Sequence, residues 1–466
     1  MYIMKTPPAT GKRRELFGTD GVRDEANTGN MTPEFALRLG QGYVAFLRKK
    51  FPDLQKLSLC IGKDTRLSSD MIASACAAGA MSAGAEVLSL GVIPTPGVSH
   101  MIPSLECAGG IMISASHNSW EYNGIKLFSR KGEKLSDEEE LRVEEEILGK
   151  TSLLERREAI GTRKALELRE SSYFESFQNC LRDLPPLEKP LVVDCAHGAA
   201  SLLLELGLAA SERKDILCIG SDPRGTNINS QAGVMDMAPL SRKVREVGGA
   251  CGMAFDGDAD RVLFVDSRGR QINGDIMLWI LGRWMARKDP SRAGVVATVM
   301  SNLALEEHLK ESGIPLYRCP VGDRYVLEKM KETGALLGGE QSGHIIAFPH
   351  FVSGDGPRGG FLFLRACAEL GEDLDTLVDR FGCYPQHLEN VRVRNKERAL
   401  QSRDLEEKRL RHEKNLAPHG RVFIRPSGTE PLIRILVESR DKEVIPQVVE
   451  DLKACLLASG GVQEKE

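Results

Sequence analysis

The chain shows its architecture at Cys251-Gly252-Met253-Ala254-Phe255-Asp256-Gly257-Asp258-Ala259-Asp260-Arg261-Val262-Leu263-Phe264-Val265-Asp266. An apolar run ends near Phe255, three aspartates spaced by small residues follow, and a second apolar run starts at Val262. The apolar residues build a layer and the unusual ones sit in the loop at its edge, as in α/β proteins. The second run turns at Ser267-Arg268-Gly269 and returns through Arg270 to Ile272, which reads as a hairpin.

Upstream, the unit that ends near Phe255 opens with Leu191-Val192-Val193-Asp194-Cys195 and turns at Gly198, and the hairpin follows it. Nearer the start, Thr32-Pro33-Glu34 supply a cap, a first-turn proline and an acid, predicting a helix. Phe35, Leu39, Tyr43, Phe46 and Leu47 fall on one face of it. A strand (Leu57 to Gly62), a small-residue helix (Ser69 to Ala83) and strands at Val87 to Leu90 and Ile111 to Ser114 come next. Ser136 and Glu139 have capping-box spacing, so the acidic run there opens a helix and is a solvated face. A polar stretch, Thr151 to Arg163, reads as a connection. Downstream, the helix Asp275 to Ala286, the strand Val295 to Val299 and the helix Ala304 to Glu311 make a third unit. Val391-Arg392-Val393, a charged helix, Val422 to Arg425, Ile433 to Val437 and a final helix read as a small α+β domain. The expectation is three consecutive α/β domains, 1–158, 159–261 and 262–380, and a smaller α+β domain, 381–466.

A length of 466 residues accommodates this, at roughly 100–200 residues per domain. Sixty-two basic against 66 acidic residues give −4, which argues against a nucleic-acid partner but leaves room for a local basic pocket. No apolar run approaches the ~20 residues of a membrane span. Met1 to Arg14, with Pro7, Pro8 and Lys12-Arg13-Arg14, lacks a signal-peptide core and reads as a solvated tail. The 11 cysteines form no Cys-x-x-Cys pair, against a disulfide framework or a zinc site. A reducing, cytoplasmic setting with no membrane partner is expected.

Four loops carry chemistry. If Asp256 to Asp260 stay extended, alternate side chains converge, and three close carboxylates repel unless a cation sits among them. Hard oxygens suit magnesium. An EF-hand is excluded, because its sixth and twelfth positions would be Arg261 and Ser267. Ser114-Ala115-Ser116-His117-Asn118 ends a strand and precedes Asn123-Gly124-Ile125-Lys126. Ser116 is a candidate nucleophile outside the Gly-x-Ser-x-Gly elbow, and phosphorylated it could supply a metal ligand. Gly338-Gly339-Glu340-Gln341-Ser342-Gly343-His344 offers hydrogen bonds of the kind that read sugar hydroxyls. Arg425-Pro426-Ser427-Gly428-Thr429-Glu430-Pro431, with Arg434 beyond, matches a phosphate dianion. Two further loops, Phe17-Gly18-Thr19-Asp20-Gly21-Val22-Arg23 and Gly62-Lys63-Asp64-Thr65-Arg66, place cations near glycines, each reading equally as loop packing with a surface ion pair. His197 reads as a turn residue and His100 as part of an apolar helix.

In this order, over nearly the whole chain, these segments resemble the α-D-phosphohexomutase superfamily. Gln341, where the mannose and glucose enzymes typically have methionine, and Val321-Gly322-Asp323-Arg324-Tyr325-Val326 resemble its bacterial glucosamine branch. The resemblance implies mixed sheets, a TBP-like C-terminal domain and four domains around a central cleft. It implies exchange of glucosamine 6-phosphate and glucosamine 1-phosphate through phosphoserine at Ser116 and a sugar 1,6-bisphosphate, which is both intermediate and activator. That reaction feeds UDP-N-acetylglucosamine synthesis. One Mg2+ per subunit would be held by Ser116, Asp256, Asp258 and Asp260. Lys126 and His344 are the candidate bases, with Arg23, His117 and Arg261 as electrostatic supports. Glu340 and Ser342 would hold sugar hydroxyls, and Arg425, Ser427, Gly428 and Thr429 the phosphate not being transferred. The partner implied is a small hexosamine phosphate, and the branch suggests a homodimer through the first domain. A phosphomannomutase/phosphoglucomutase for neutral hexoses is the alternative. A non-catalytic sugar-phosphate-binding paralogue would have lost motifs that are all present here. Three departures stand out. Ala259 replaces glycine, tolerable if that residue is not at positive φ. Asp24 replaces the glycine after Arg23, near an expected phosphate path. Ser119-Trp120-Glu121-Tyr122 stand where proline, aromatic residues and an aspartate are usual.

Overall fold

The computed structural model describes residues 14–18, 20–149, 160–426 and 432–461. They form two compact units, Arg14–Ser301 with Leu309–Arg380, and Asn302–His308 with the chain from Phe381 onward. Much of the Thr151 to Arg163 connection and most of the Met1 to Arg14 tail lie outside the described residues.

The larger unit holds three mixed sheets. The first runs, edge to edge, Val22–Glu25, Tyr122–Ser129, Gly109–Ile113, Ser58–Lys63, Glu86–Val92 and Arg163–Ala165. Its inner pairings are parallel, and Tyr122–Ser129 is antiparallel to both neighbours. Helix Pro33–Lys50 begins as its sequence predicts: Thr32 accepts from Phe35 N–H at 3.3 Å, followed by Pro33 and Glu34. It buries Leu39, Tyr43, Phe46 and Leu47 against Ser69–Ser82. The small residues of that second helix let two backbones meet, since a Cβ on Gly79 would lie 2.0 Å from Leu37 O. Ser136 and Glu139 form the expected capping box.

The second sheet runs Gln271–Ile272, Val262–Val265, Cys251–Phe255, Leu191–Asp194 and Ile216–Ile219. A division after Arg261 falls inside this sheet, because Val262–Val265 pairs antiparallel with its chain neighbour Cys251–Phe255. The third sheet runs Leu316–Cys319, Val295–Thr298, Leu337–Gly339 and Ile345–Ala347. Helices Gly274–Lys288 and Asp323–Thr333 pack on it.

The smaller unit is α+β. Gly420–Pro426 and Gln386–Arg392 flank Leu432–Ser439 in an antiparallel sheet. Val391, Ile433, Ile435 and Val437 pack against Val448, Val449 and Leu452 of helix Ile445–Gly460. Among the described residues no helix is long and apolar enough to cross a membrane.

Candidate active site

The serine loop leaves the buried strand Gly109–Ile113. Ser116 N–H donates to Ser114 Oγ at 2.9 Å, and the Ser116 backbone is left-handed, with φ +55°. Ser116 is 1% exposed, and its hydroxyl donates to Asp256 Oδ2 at 2.7 Å. His117 Nδ1 lies 3.4 Å from Ser116 Oγ.

Asp256, Asp258 and Asp260 do converge: a ligand atom from each lies within 4.8 Å of the others. They converge through a turn rather than an extended segment, with Ala259 N–H donating to Asp256 O at 3.0 Å. Ala259 has φ +54°, so the condition for a strain-free methyl is not met. Gly257 touches the serine loop, since a Cβ there would lie 2.7 Å from Ser116 O. All three aspartates are buried. Burial, then the charges of Asp260 and Asp258, push the Asp256 carboxyl up. Asp258 Oδ1 and Asp260 Oδ1 are buried and accept no hydrogen bond. Two orphaned oxygens in an all-oxygen set fit a hard divalent cation, so these residues can hold a metal ion.

A ring of alternating charges surrounds this cluster. Lys126 Nζ, 1% exposed, lies 2.8 Å from Asp258, 3.1 Å from Asp20 and 3.6 Å from Asp260. Lys134 Nζ joins Asp20 at 2.5 Å to Asp323 at 2.7 Å. Asp323 is 3.3 Å from His344 Nε2, and His344 Nδ1 is 3.8 Å from Asp260, closing the circuit. Burial works against the charge on Lys126, but Asp20, Asp258 and Asp260 hold it protonated. Burial likewise opposes the His344 charge, yet Asp323 and Asp260 raise its pKa to about 10. Gly354 N–H also approaches His344 Nε2 at 3.0 Å, so the neutral ring has a donor waiting for it. Lys126 therefore sits here as a cation, and the two carboxylates beside His344 favour its protonated form. His117 is the reverse case: burial, Arg261 and Arg23 lower its pKa to about 4, leaving a neutral ring where a positive support was expected.

Arg23 pairs with Asp20, and Arg261 Nε lies 4.0 Å from Asp256 and 3.9 Å from Asp260. The sugar loop packs on the strand after the metal loop, with Val262 N–H donating to Gly343 O at 3.0 Å. Glu340 accepts from Gly322 N–H at 3.0 Å, and Ser342 Oγ lies 3.4 Å from Glu340. In the smaller unit Arg425 and Arg434 face each other across neighbouring strands. Burial, then Arg434, lower the Arg425 pKa, as two facing guanidiniums should. Ser427, Gly428 and Thr429 lie outside the described residues.

The sequence reading missed several groups. Lys134 and Asp323 had no local signal of a role. Arg66 and Asp64, readable as a surface pair, are fully buried. Asn229, which touches the serine loop, was not singled out. Asp24 turns away from chemistry: it accepts Glu25 N–H at 3.0 Å and Asn30 N–H at 3.1 Å, closing a turn. His197 sits in a turn with φ +49°.

The phosphoglucomutase/phosphomannomutase family matches in three places: its alpha/beta/alpha domain I at residues 14–153, its alpha/beta/alpha domain III at 273–384 and its C-terminal domain at 388–454. A phosphoglucosamine mutase of Thermus thermophilus is 43% identical over 443 residues, covering 95% of this chain and 98% of that one. One from Carboxydothermus hydrogenoformans is 40% identical over 449 residues, 95% of this chain and 99% of that one. A phosphoglucomutase/phosphomannomutase family protein from Burkholderia thailandensis shares the fold, with TM-score 0.79 at 21% identity over 96% of this chain and 98% of that one. So does N-acetylphosphoglucosamine mutase of Aspergillus fumigatus, solved with GlcNAc-6P and magnesium, with TM-score 0.68 at 17% identity over 96% of each chain. Buried serine, acidic turn and sugar loop thus stand on a shared scaffold: the chain is an enzyme that belongs to the phosphoglucomutase/phosphomannomutase family, among its phosphoglucosamine mutases.

Proposed function

We propose that this phosphohexomutase interconverts glucosamine 6-phosphate and glucosamine 1-phosphate, with Ser116 as the phosphoryl carrier. The observation that carries the reading is the Ser116 hydroxyl buried 2.7 Å from Asp256, beside two buried carboxylate oxygens that accept no hydrogen bond. Phospho-Ser116 gives its phosphoryl group to the 1-hydroxyl of glucosamine 6-phosphate. The bisphosphate turns end for end, and its 6-phosphoryl group returns to Ser116. Asp256, Asp258, Asp260 and a phosphoserine oxygen would hold Mg2+, which neutralises charge on the transferring group.

The chain's own residues do the rest. Lys126 and His344, held charged, suit the donor side of proton exchange at the serine oxygen, and Arg23 and Arg261 add positive charge nearby. Glu340 and Ser342 hold sugar hydroxyls. Arg425, Ser427, Gly428 and Thr429, with Arg434, bind the phosphate that is not being transferred. The substrate assignment draws on the curated relatives at 40–43% identity. The Aspergillus complex supports a sugar phosphate and magnesium. The product would feed UDP-N-acetylglucosamine synthesis, and a homodimer, checked by light scattering, belongs to the same reading.

Turnover of glucosamine 6-phosphate, measured beside glucose and mannose phosphates with Mg2+ and a sugar bisphosphate, tests the assignment. Glucosamine should dominate; a faster rate on either neutral hexose moves the chain to the other branch. Ser116→Ala should stay folded and lose turnover, and normal turnover there ends the carrier scheme.

A further inference from the structure

The serine loop is gripped by one buried guanidinium. Arg66 is 2% exposed and Asp64 0%. Arg66 Nε donates to Asp64 Oδ2 at 2.9 Å. Its Nη2 donates to the carbonyls of Ser116 and Asn118, each at 2.9 Å, and its Nη1 to those of Tyr122, at 3.0 Å, and Ser119. A guanidinium has five N–H donors, and all five are used, four of them on this loop. Asp64 also accepts from Arg66 N–H at 3.0 Å and from Ser69 Oγ at 2.7 Å, which anchors the arginine to the helix behind it. Asn229, reaching over after the second sheet's strand Ile216–Ile219, donates its Nδ2 to the same Ser116 and Asn118 carbonyls, each at 2.9 Å.

We infer that Arg66 and Asn229 are the positioning residues of the phosphoryl carrier, clasping the serine loop so that Ser116 Oγ is held at the acidic turn. A non-glycine residue keeps a left-handed backbone only where its surroundings fix it, and Ser116 has φ +55°. The clasp also commits the carbonyl dipoles of Ser116, Asn118, Ser119 and Tyr122 to a buried cation. It accommodates the unusual Ser119 to Tyr122 stretch, because Arg66 reads carbonyls rather than side chains. The inference rests on Ser116 being the carrier.

Arg66→Lys keeps the charge opposite Asp64 but loses the fork, and Asn229→Asp is isosteric but sets a carboxylate against two carbonyls. The readouts are kcat and KM for glucosamine 6-phosphate, labelling of Ser116 by glucose 1,6-bisphosphate followed by intact mass, and hydrogen exchange over residues 114–122. In each variant kcat and the labelling rate should fall roughly 10- to 100-fold while KM stays within about twofold, as expected for misplacement of a reacting atom. Exchange should rise in the loop alone. Labelling at the wild-type rate in a folded variant overturns the inference, as does a raised KM at constant kcat. Should Arg66→Lys fail to fold, Asn229→Asp carries the test from the other side of the loop. If the wild type itself takes no label on Ser116, the carrier reading fails, while loop exchange in the variants still reports the clasp.

Discussion

Ala259 carries the bend of the acidic turn at φ +54°, and His344 takes its charge from Asp323 and Asp260. The acidic triplet was legible because like charges at short spacing demand a cation, and the structure buries all three. The turn that joins them was not, because nothing local in Asp-Ala-Asp requires φ +54° at the alanine. Ala259→Gly should therefore stabilise the fold by roughly 0.5–1 kcal/mol, strain relief offset in part by glycine's chain entropy, as measured by chemical denaturation. Charge states were also beyond the sequence: His117 and His344 look alike in one dimension, yet Arg261 and Arg23 face one and Asp323 and Asp260 the other. Because His344 binds its proton more tightly folded than unfolded, its stabilisation is complete below about pH 6.5, the unfolded value. It is lost as pH rises toward about 10. In chelator, wild-type stability should fall across that window, and a His344→Asn variant should show a shallower fall.

Helices and strands were legible where caps and periodicity are local. Thr32, Pro33 and the Ser136–Glu139 box sit where predicted because each acts within one turn. The strand Tyr122–Ser129 was hidden, since Asn123-Gly124 resembles a turn. Asn123 is instead fully buried, its amide donating to Ser68 and Ser69 hydroxyls at 2.8 and 3.1 Å, partners remote in sequence. The hairpin at Val262 forms but pairs with Cys251–Phe255, across the expected domain bound at 262, because pairing between neighbouring strands leaves no mark on composition. The contact between helices Pro33–Lys50 and Ser69–Ser82 offers a direct check. Gly79→Ala should cost roughly 1–3 kcal/mol through overpacking against Leu37 O, visible as a lowered Tm with unchanged metal binding.

The α/β class and a small α+β end followed from the alternation of elements, and the mixed sheets from the family resemblance. Which side chains meet across them did not. Asp20, Lys126 and Lys134 come from the first sheet's part of the chain, Asp260 from the loop after Phe255, and Asp323 and His344 from the third sheet's part. For the smaller unit, Arg425→Ala should raise KM for the sugar phosphate about tenfold with a lesser effect on kcat, as loss of ground-state phosphate binding does. An unchanged KM in steady-state assays would remove that arginine from the phosphate site.

The closed circuit Asp260–Lys126–Asp20–Lys134–Asp323–His344 alternates three negative and three positive groups, with Asp258 and Arg23 paired to Lys126 and Asp20 from outside it. Neutralising any one of them strands an odd charge in the interior, while removing two adjacent members restores the balance. In terms of mutational drift, the six positions make one heritable unit. Outside Asp260, Lys126 and His344, accepted changes should arrive in neighbouring acid–base pairs, and Lys134→Met with Asp323→Leu should be better tolerated than either alone.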